Sequence, residues 1–273
     1  MRTSRWFALL SCSMLASCAS HRAGERPLAD LAAGRMVRVS GGTFRMGAGS
    51  GPAGNIADFN SVGPFLLDVT EVTVSAYGAC VKAGGCPPAP TTVRWEWIRD
   101  KDRARWSPLC NANLSDRGDH PINCVDWTQA VAYCAWAGKR LPTEQEWEWA
   151  ARNGSEGTGF PWGDDPPLAR ACWNGEGNDA GRGSRQGTCP VGSHPAGDSR
   201  AGVKDLSGNV AEWTSSEDVV GADGRGRGGT PVKVARGGGW SDTEQPKISA
   251  LARLLDLPSR RDAQLGFRCA SDP

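Results

Sequence analysis

Histidine is scarce in this chain, at three residues among 273, and no Cys-x-x-Cys pair occurs. A structural zinc site built from His and Cys therefore has little to draw on. A net charge of one sign is also missing. Lys plus Arg number 31 against 30 for Asp plus Glu, a formal balance of +1, so composition gives no electrostatic footprint for nucleic acid. No nucleophile elbow of the Gly-x-Ser-x-Gly type is present. The Gly-rich run 221–229 lacks a Gly-Lys-Ser/Thr ending and the flanking strand and helix of a phosphate loop, and it reads as a surface loop. Long apolar runs are absent too. The one apolar stretch of note, Trp6 to Ala16, is too short to span a bilayer.

That stretch has another meaning. Arg2 and Arg5 precede it and Leu15-Ala-Ser-Cys18 follows it, which together form a basic head, an apolar core and a small-residue cleavage site. The ending resembles a bacterial lipobox, which implies that residues 1–17 are removed and that Cys18 carries lipid. A second match at Leu9-Leu-Ser-Cys12 leaves a shorter apolar run. Ala19, rather than Asp, follows the lipid site, and by resemblance to lipoprotein sorting this implies the outer membrane of a cell envelope. Residues 18–37 then read as a tether and 38–273 as one domain. Its 36 glycines, 18 prolines and 12 tryptophans, counted over the whole chain, point to many loops pinned by large rings.

Eight cysteines remain after Cys12 and Cys18 are set aside: Cys80, Cys86, Cys110, Cys124, Cys134, Cys172, Cys189 and Cys269. An even count in an exported chain reads as disulfides, in any of about 105 pairings. Local patterns add further expectations. Residues 36–46 alternate around Gly41-Gly42 as a hairpin would, and 64–72 reads as a strand. One helix is expected after Thr73, with Val74, Tyr77 and Val81 on one face and Gly84 as its stop. Another follows Asp126, with Gln129 three residues on and Gly138 at its end. A third has Thr143 and Glu146 as a capping box and ends before Gly154. Beyond residue 155 helical periodicity disappears.

Three features suggest sites. Trp95 and Trp97 would share a strand face in a charged stretch, where they could stack on a ligand or simply pack. His120 and His194 are lone histidines in turns, read as structural. Asp205 and Glu212 bracket a turn at Ser207-Gly208. They suit a hard cation, and equally a turn that uses its carboxylates as hydrogen-bond acceptors.

Nine motifs then fall into one order: Gly41-Gly-Thr-Phe-Arg-Met-Gly47, Asp68-Val-Thr-Glu-Val-Thr73, Pro121-Ile-Asn-Cys-Val-Asp-Trp127, the block Ala132 to Arg152, Phe160-Pro-Trp-Gly163, Pro190-Val-Gly-Ser193, Gly208-Asn-Val-Ala-Glu-Trp-Thr214, Arg236-Gly-Gly-Gly-Trp240 and Gly266-Phe-Arg-Cys269. Over about residues 38–271 the chain resembles the formylglycine-generating enzyme, or sulfatase-modifying factor, family. The resemblance implies an α+β, C-type-lectin-like fold with little regular structure. It implies a disulfide between Cys134 and Cys269. For the remainder, short spacing favours Cys80–Cys86, Cys172–Cys189 would close a Gly-rich loop, and Cys110–Cys124 is left. The resemblance also implies a structural calcium site from the Asp205 and Glu212 side chains and the Gly208 and Val210 carbonyls. A second family calcium site would fall in 174–185, where the loop is shortened, and is not transferred.

Active members of that family oxidise a sulfatase cysteine with copper and oxygen, and two cysteines after the Gly-Gly-Ser-Trp/Tyr motif hold the copper. Asp242 and Lys247 stand at those two places. Neither replaces a thiolate for copper(I). The expectation is a lipoprotein that binds an envelope protein or glycan, with loops near Trp95–Trp106 and 221–229 as contact candidates. The alternative is a diverged enzyme, with polar groups converging near Trp240, Asp242 and Arg253. Neither reading calls for nucleic acid.

Overall fold

Helices start in this chain where a polar side chain can satisfy an orphan N–H. Thr73 Oγ1 accepts from Ala76 N at 3.1 Å and opens α1 (Val74–Lys82). Asp126 and Gln129 form a reciprocal capping box that opens α3 (Trp127–Trp136), and Thr143 with Glu146 does the same for α4 (Glu144–Ala151). Gly84, Gly138 and Gly154 take positive φ after these helices, as their stop roles require. The computed structural model describes residues 34–47, 59–220 and 229–273. The expected signal, Cys18, most of the tether and nearly all of the 221–229 loop lie outside them.

The strands build three small sheets. Strands β1 (Met36–Val39), β4 (Phe65–Asp68) and β9 (Ala270–Ser271) form one in the order β1-β4-β9, bringing the two ends of the domain together. Strands β2 (Gly42–Arg45) and β3 (Phe59–Val62) form the second. The third has the order β7-β6-β5-β8, with β5 (Ala211–Val220), β6 (Thr230–Arg236), β7 (Arg253–Asp256) and β8 (Leu265–Gly266). After α4 the described elements are these strands and 3-10 turns of three or four residues.

Three local expectations need correction. β1 and β2 are both present, but they do not form a hairpin: β1 pairs with β4 and β2 with β3. Gly41-Gly42 is a crossing point between sheets, where a Cβ on Gly41 would meet Val62 O at 2.4 Å and one on Gly42 the Trp149 ring at 2.6 Å. The strand expected over 64–72 stops at Asp68. The charged stretch holds a further helix, α2 (Asp100–Trp106), whose first turn carries Asp100 and Asp102 and whose last carries Arg103 and Arg105.

The larger core cluster packs Tyr77, Tyr133, Ile122, Trp213, Leu265 and Phe267, joining α1 and α3 to the third sheet. A second gathers Phe44, Phe65, Leu67, Trp147 and Trp149 around α4. Four disulfides close the framework: Cys80–Cys86, Cys110–Cys124, Cys134–Cys269 and Cys172–Cys189. All eight cysteines of the domain are thereby paired, as expected. Among the described residues no helix is long and apolar enough to cross a membrane.

Candidate functional site

A cavity of about 440 Å³ opens over one face of the third sheet. Its floor is set by strand register. Ala211 of β5 lies opposite Leu265 of β8, and Ala235 of β6 lies opposite Leu254 of β7. Small floor side chains leave the space. One wall is the Gly238-Gly239 segment with Asp242 and Lys247, and the other carries Arg253, Arg260, Asp262 and Gln264. Gly238 has φ +68, and a Cβ there would meet Lys247 O at 2.0 Å. The Gly run therefore lets the turn carrying Lys247 close down on the sheet end.

Asp242 and Lys247, read from the sequence as the altered copper positions, both face this cleft. Asp242 Oδ2 accepts the Gly239 N–H at 2.9 Å. Burial, together with the nearby Asp262 and Glu244, raises the Asp242 carboxyl above its ordinary range, against the pull of the Gly239 N–H and Lys247. Arg253 also lines the cleft, tied by Nε and Nη2 to Glu144 at 2.6 and 3.0 Å and by Nη1 to Asp218 at 2.7 Å. The exposed Asp218 carboxyl is held below its usual range by that hydrogen bond.

The other three aromatic candidates do not line it. Trp240 is buried, gives Nε1 to Ala263 O at 3.0 Å and packs on Trp106. Trp95 and Trp97 share no strand face. Trp95 packs in a cluster with Val93, Cys110 and Cys124, beneath the Arg260 guanidinium at 5.0 Å. Trp97 sits in a turn at φ 61 and is 94% exposed. Arg260, Asp262 and Gln264 were missed from sequence, because no motif marks them and only the fold carries them to the cleft.

A second set of functional candidates is buried beneath the Gly208-Asn209 turn. Arg268 gives Nε and Nη2 to the two Glu212 oxygens, each at 2.7 Å, and Trp147 Nε1 adds a bond to Glu212 Oε2 at 2.8 Å. Arg268 also donates to the carbonyls of Asp68, Val69 and Lys204. Glu212, expected as a calcium ligand, is in this structure the bidentate partner of a buried arginine. Asp205 Oδ2 accepts the Gly192 N–H at 2.5 Å. The sequence reading also missed Glu71, which is 1% exposed and accepts from Asn209 Nδ2 at 2.9 Å through Oε1. Its Oε2 meets no N–H or O–H donor among the described residues, and the Glu71 carboxyl lies within hydrogen-bonding reach of Asp205.

Burial, and then the charge of Asp205, push the Glu71 carboxyl well up, and burial also raises Asp205. Three carboxyl groups here face one guanidinium, so full ionisation would leave a surplus of two negative charges (three minus one). Among the described residues no three His, Cys, Asp or Glu side chains converge on a metal position. The acids of this set that no guanidinium hydrogen-bonds are Glu71 and Asp205, to which the resemblance would add the Gly208 and Val210 carbonyls as ligands. A set of that kind suits calcium, since it is all oxygen and carries two charges.

His120 joins neither site, and His194 stands beside the second set, near enough to Asp205 to oppose the rise of its carboxyl. His194 Nε2 lies 3.5 Å from Asp179, and His120 is held between Arg117 and Thr188.

Comparison with known proteins agrees with this architecture. A model of the "Sulfatase-modifying factor enzyme 1-like domain" matches residues 23–273. The formylglycine-generating enzyme of Thermomonospora curvata is 31% identical, over 87% of this chain and 93% of its own. The inactive C-alpha-formylglycine-generating enzyme 2 of Bos taurus is 32% identical, over 86% of this chain and 87% of its own. Among solved structures, PvdO from Pseudomonas aeruginosa superposes with a TM-score of 0.62 at 25% identity, over 88% of this chain and 95% of that one. This chain belongs to the formylglycine-generating enzyme, or sulfatase-modifying factor, family.

Proposed function

We propose that this family member is a lipid-anchored envelope module that binds a segment of another protein in the cleft beside Asp242 and Lys247, and that it lacks the family's oxidation. The observation that carries this reading is the cleft itself. It keeps a volume of about 440 Å³ at the altered copper positions, which is the size range of ligand sites. All eight cysteines of the domain are in disulfides, so no thiolate stands ready to replace the two that are missing. Asp242 and Lys247 supply a hard oxygen and an ammonium, a donor set that does not fit copper(I). Relatives of both kinds, one named as a formylglycine-generating enzyme and one named as inactive, match to a similar degree, so membership alone does not decide activity.

A protein ligand suits the cleft better than a glycan. No aromatic side chain lines it, Trp240 is turned into the core, and Trp97 stands alone on the surface. A sugar would find no stacking face there.

The purified chain, incubated with copper, reductant, oxygen and a sulfatase-type cysteine peptide, is expected to yield no aldehyde above a protein-free control. Aldehyde formation would replace the binding reading with the enzyme one. Ala235→Leu places a larger side chain under the cleft floor, and because Ala235 is fully buried the variant's fold is checked first by its melting curve. The folded variant is expected to abolish cross-linking to an envelope partner captured by the wild type. The anchor is tested separately. Cys18→Ala is expected to move the protein from the membrane to the soluble fraction, and unchanged partition would remove the lipid from the proposal.

A further inference from the structure

The charged groups around the cleft differ in what they leave unsatisfied. Arg253 is taken up by Glu144 and Asp218. Arg260 is taken up by Asp256 and Asp262. Lys247 is the cleft cation that forms no ion pair and no side-chain hydrogen bond among the described residues, its charge being answered only at a distance by Asp242. The Gln264 side-chain amide has no such partner either. Of the acids, Asp262 is bonded by Arg260 and by the Gln264 backbone N–H. Asp242 has one oxygen on the Gly239 N–H, and its other oxygen accepts no hydrogen bond among the described residues. The cleft thus offers an ammonium and an amide as donors and one carboxylate oxygen as acceptor, above a floor of Ala211, Ala235, Leu254 and Leu265.

We propose that this cleft receives the carboxyl-terminal residue of a polypeptide, with its carboxylate on Lys247 and the Gln264 amide, its backbone N–H on Asp242 and an apolar side chain on the floor. The inference rests on the reading of the cleft as a binding site and names the ligand that it takes. The interior of a peptide chain carries no main-chain charge to match Lys247, and a neutral ligand would cover that ammonium without replacing its water. A terminal residue supplies a carboxylate and an N–H on the same carbon, which is the donor-acceptor sense of the wall. Capture of a terminal carboxylate is a recurrent mode of peptide recognition. A free α-amino acid presents the same two groups. The cavity has the volume of a drug-sized ligand rather than of one residue, which favours the chain end.

The test uses the full-length lipoprotein in detergent micelles and calorimetric titration. The probes are an acetylated tetrapeptide ending in Leu with a free carboxylate, its C-terminal amide, the amide carrying an internal Glu, and free leucine. The free acid is expected to bind at least tenfold more tightly than its amide, and more tightly than free leucine. Lys247 is exposed, so Lys247→Gln should fold, and it is expected to erase the difference between acid and amide. Equal affinity of acid and amide in the wild type would overturn the proposal. So would an internal Glu peptide that binds as tightly as the free acid, free leucine that matches the peptide, or no binding by any probe. Failure of the broader reading looks different. Partner cross-linking that Ala235→Leu abolishes and Lys247→Gln leaves intact keeps the cleft as a site and removes the terminal carboxylate. Cross-linking indifferent to Ala235→Leu removes both.

Discussion

His120 shows how one buried side chain ties stability to pH. Its Nδ1 lies 3.2 Å from Arg117 Nη1 and 2.9 Å from Thr188 Oγ1. Arginine can only donate, so Nδ1 must be the bare acceptor and Nε2 must carry the proton. Protonating Nδ1 would set N–H against N–H beside a fixed positive charge. Burial, and then Arg117, lower the His120 pKa from its ordinary value, against Asp119 and Asp116. Between the unfolded and folded pKa values the unfolded chain binds more protons, so this contribution to stability is present above the unfolded value and lost as pH falls through the folded one. Urea unfolding of the wild type should therefore weaken as pH falls from about 6.5 towards about 5, before carboxylates dominate. His120→Asn keeps an acceptor near the Nδ1 position and removes the titration. Its stability should fall less across that window than the wild type's, and a slope equal to the wild type's would assign the effect to another group.

The next scale is that of turns and strands, where the buried acids meet the chain entering β5. Asp205, Gly208 and Asn209 all have positive φ, and a Cβ on Gly208 would meet Cys172 O at 2.5 Å. That turn carries the Gly208 and Val210 carbonyls that the resemblance offers as calcium ligands, and Asn209 leans back to Glu71. Calcium bound by Glu71, Asp205 and the two carbonyls would offset the charge surplus that Arg268 leaves. On this proposal, calcium in place of a chelator raises the melting temperature of the wild type by binding the folded state alone, a linkage of about 2.7 kcal/mol at a hundredfold excess over Kd. Glu71→Gln and Asp205→Asn should each shrink the shift. Identical wild-type melts with calcium and with chelator would mean that the buried pair is neutralised by a proton instead. Much at this scale was legible from sequence. Thr73, Asp126 and Thr143 announce helices because capping is local chemistry, and Asp242 and Lys247 are found by their offset from the Gly237-Gly-Gly-Trp240 segment. What was not legible depends on partners distant in sequence. Arg253 is neutralised by Glu144, 109 residues away, and Glu212 is claimed by Arg268, 56 residues away. The Gly41-Gly42 pair resembles a hairpin locally, yet it makes room for the Trp149 ring, which only the folded chain brings there. Residues 100–106 lacked an apolar stripe, and α2 has no fully buried side chain.

At the scale of the whole molecule, short strands and 3-10 turns give the domain few long elements to hold it, and covalent links take over that task. Cys134 on α3 joins Cys269 just before β9, across a sequence separation of 135. The bond fixes the helix to the sheet that already gathers both ends of the domain, next to Tyr133 and Phe267, whose rings meet edge to face at 5.5 Å. Cys80–Cys86 spans a separation of only 6, within the end of α1 and the turn after it. The chain-entropy model assigns about 5 kcal/mol to a loop of the first length and about 2 kcal/mol to one of the second, before any native-state strain. All four cysteines are buried, so replacement by alanine leaves a similar small void in each case and the comparison isolates the loops. The double variant Cys134→Ala/Cys269→Ala should therefore lose more unfolding free energy in urea than Cys80→Ala/Cys86→Ala, by about 2–3 kcal/mol on that model. It should also show a larger m-value, since its unfolded chain is freed to expand by the longer loop. Equal losses in the two variants would mean that the long bond constrains an unfolded chain already held together in that region, and that packing of α3 against the third sheet carries the tie on its own.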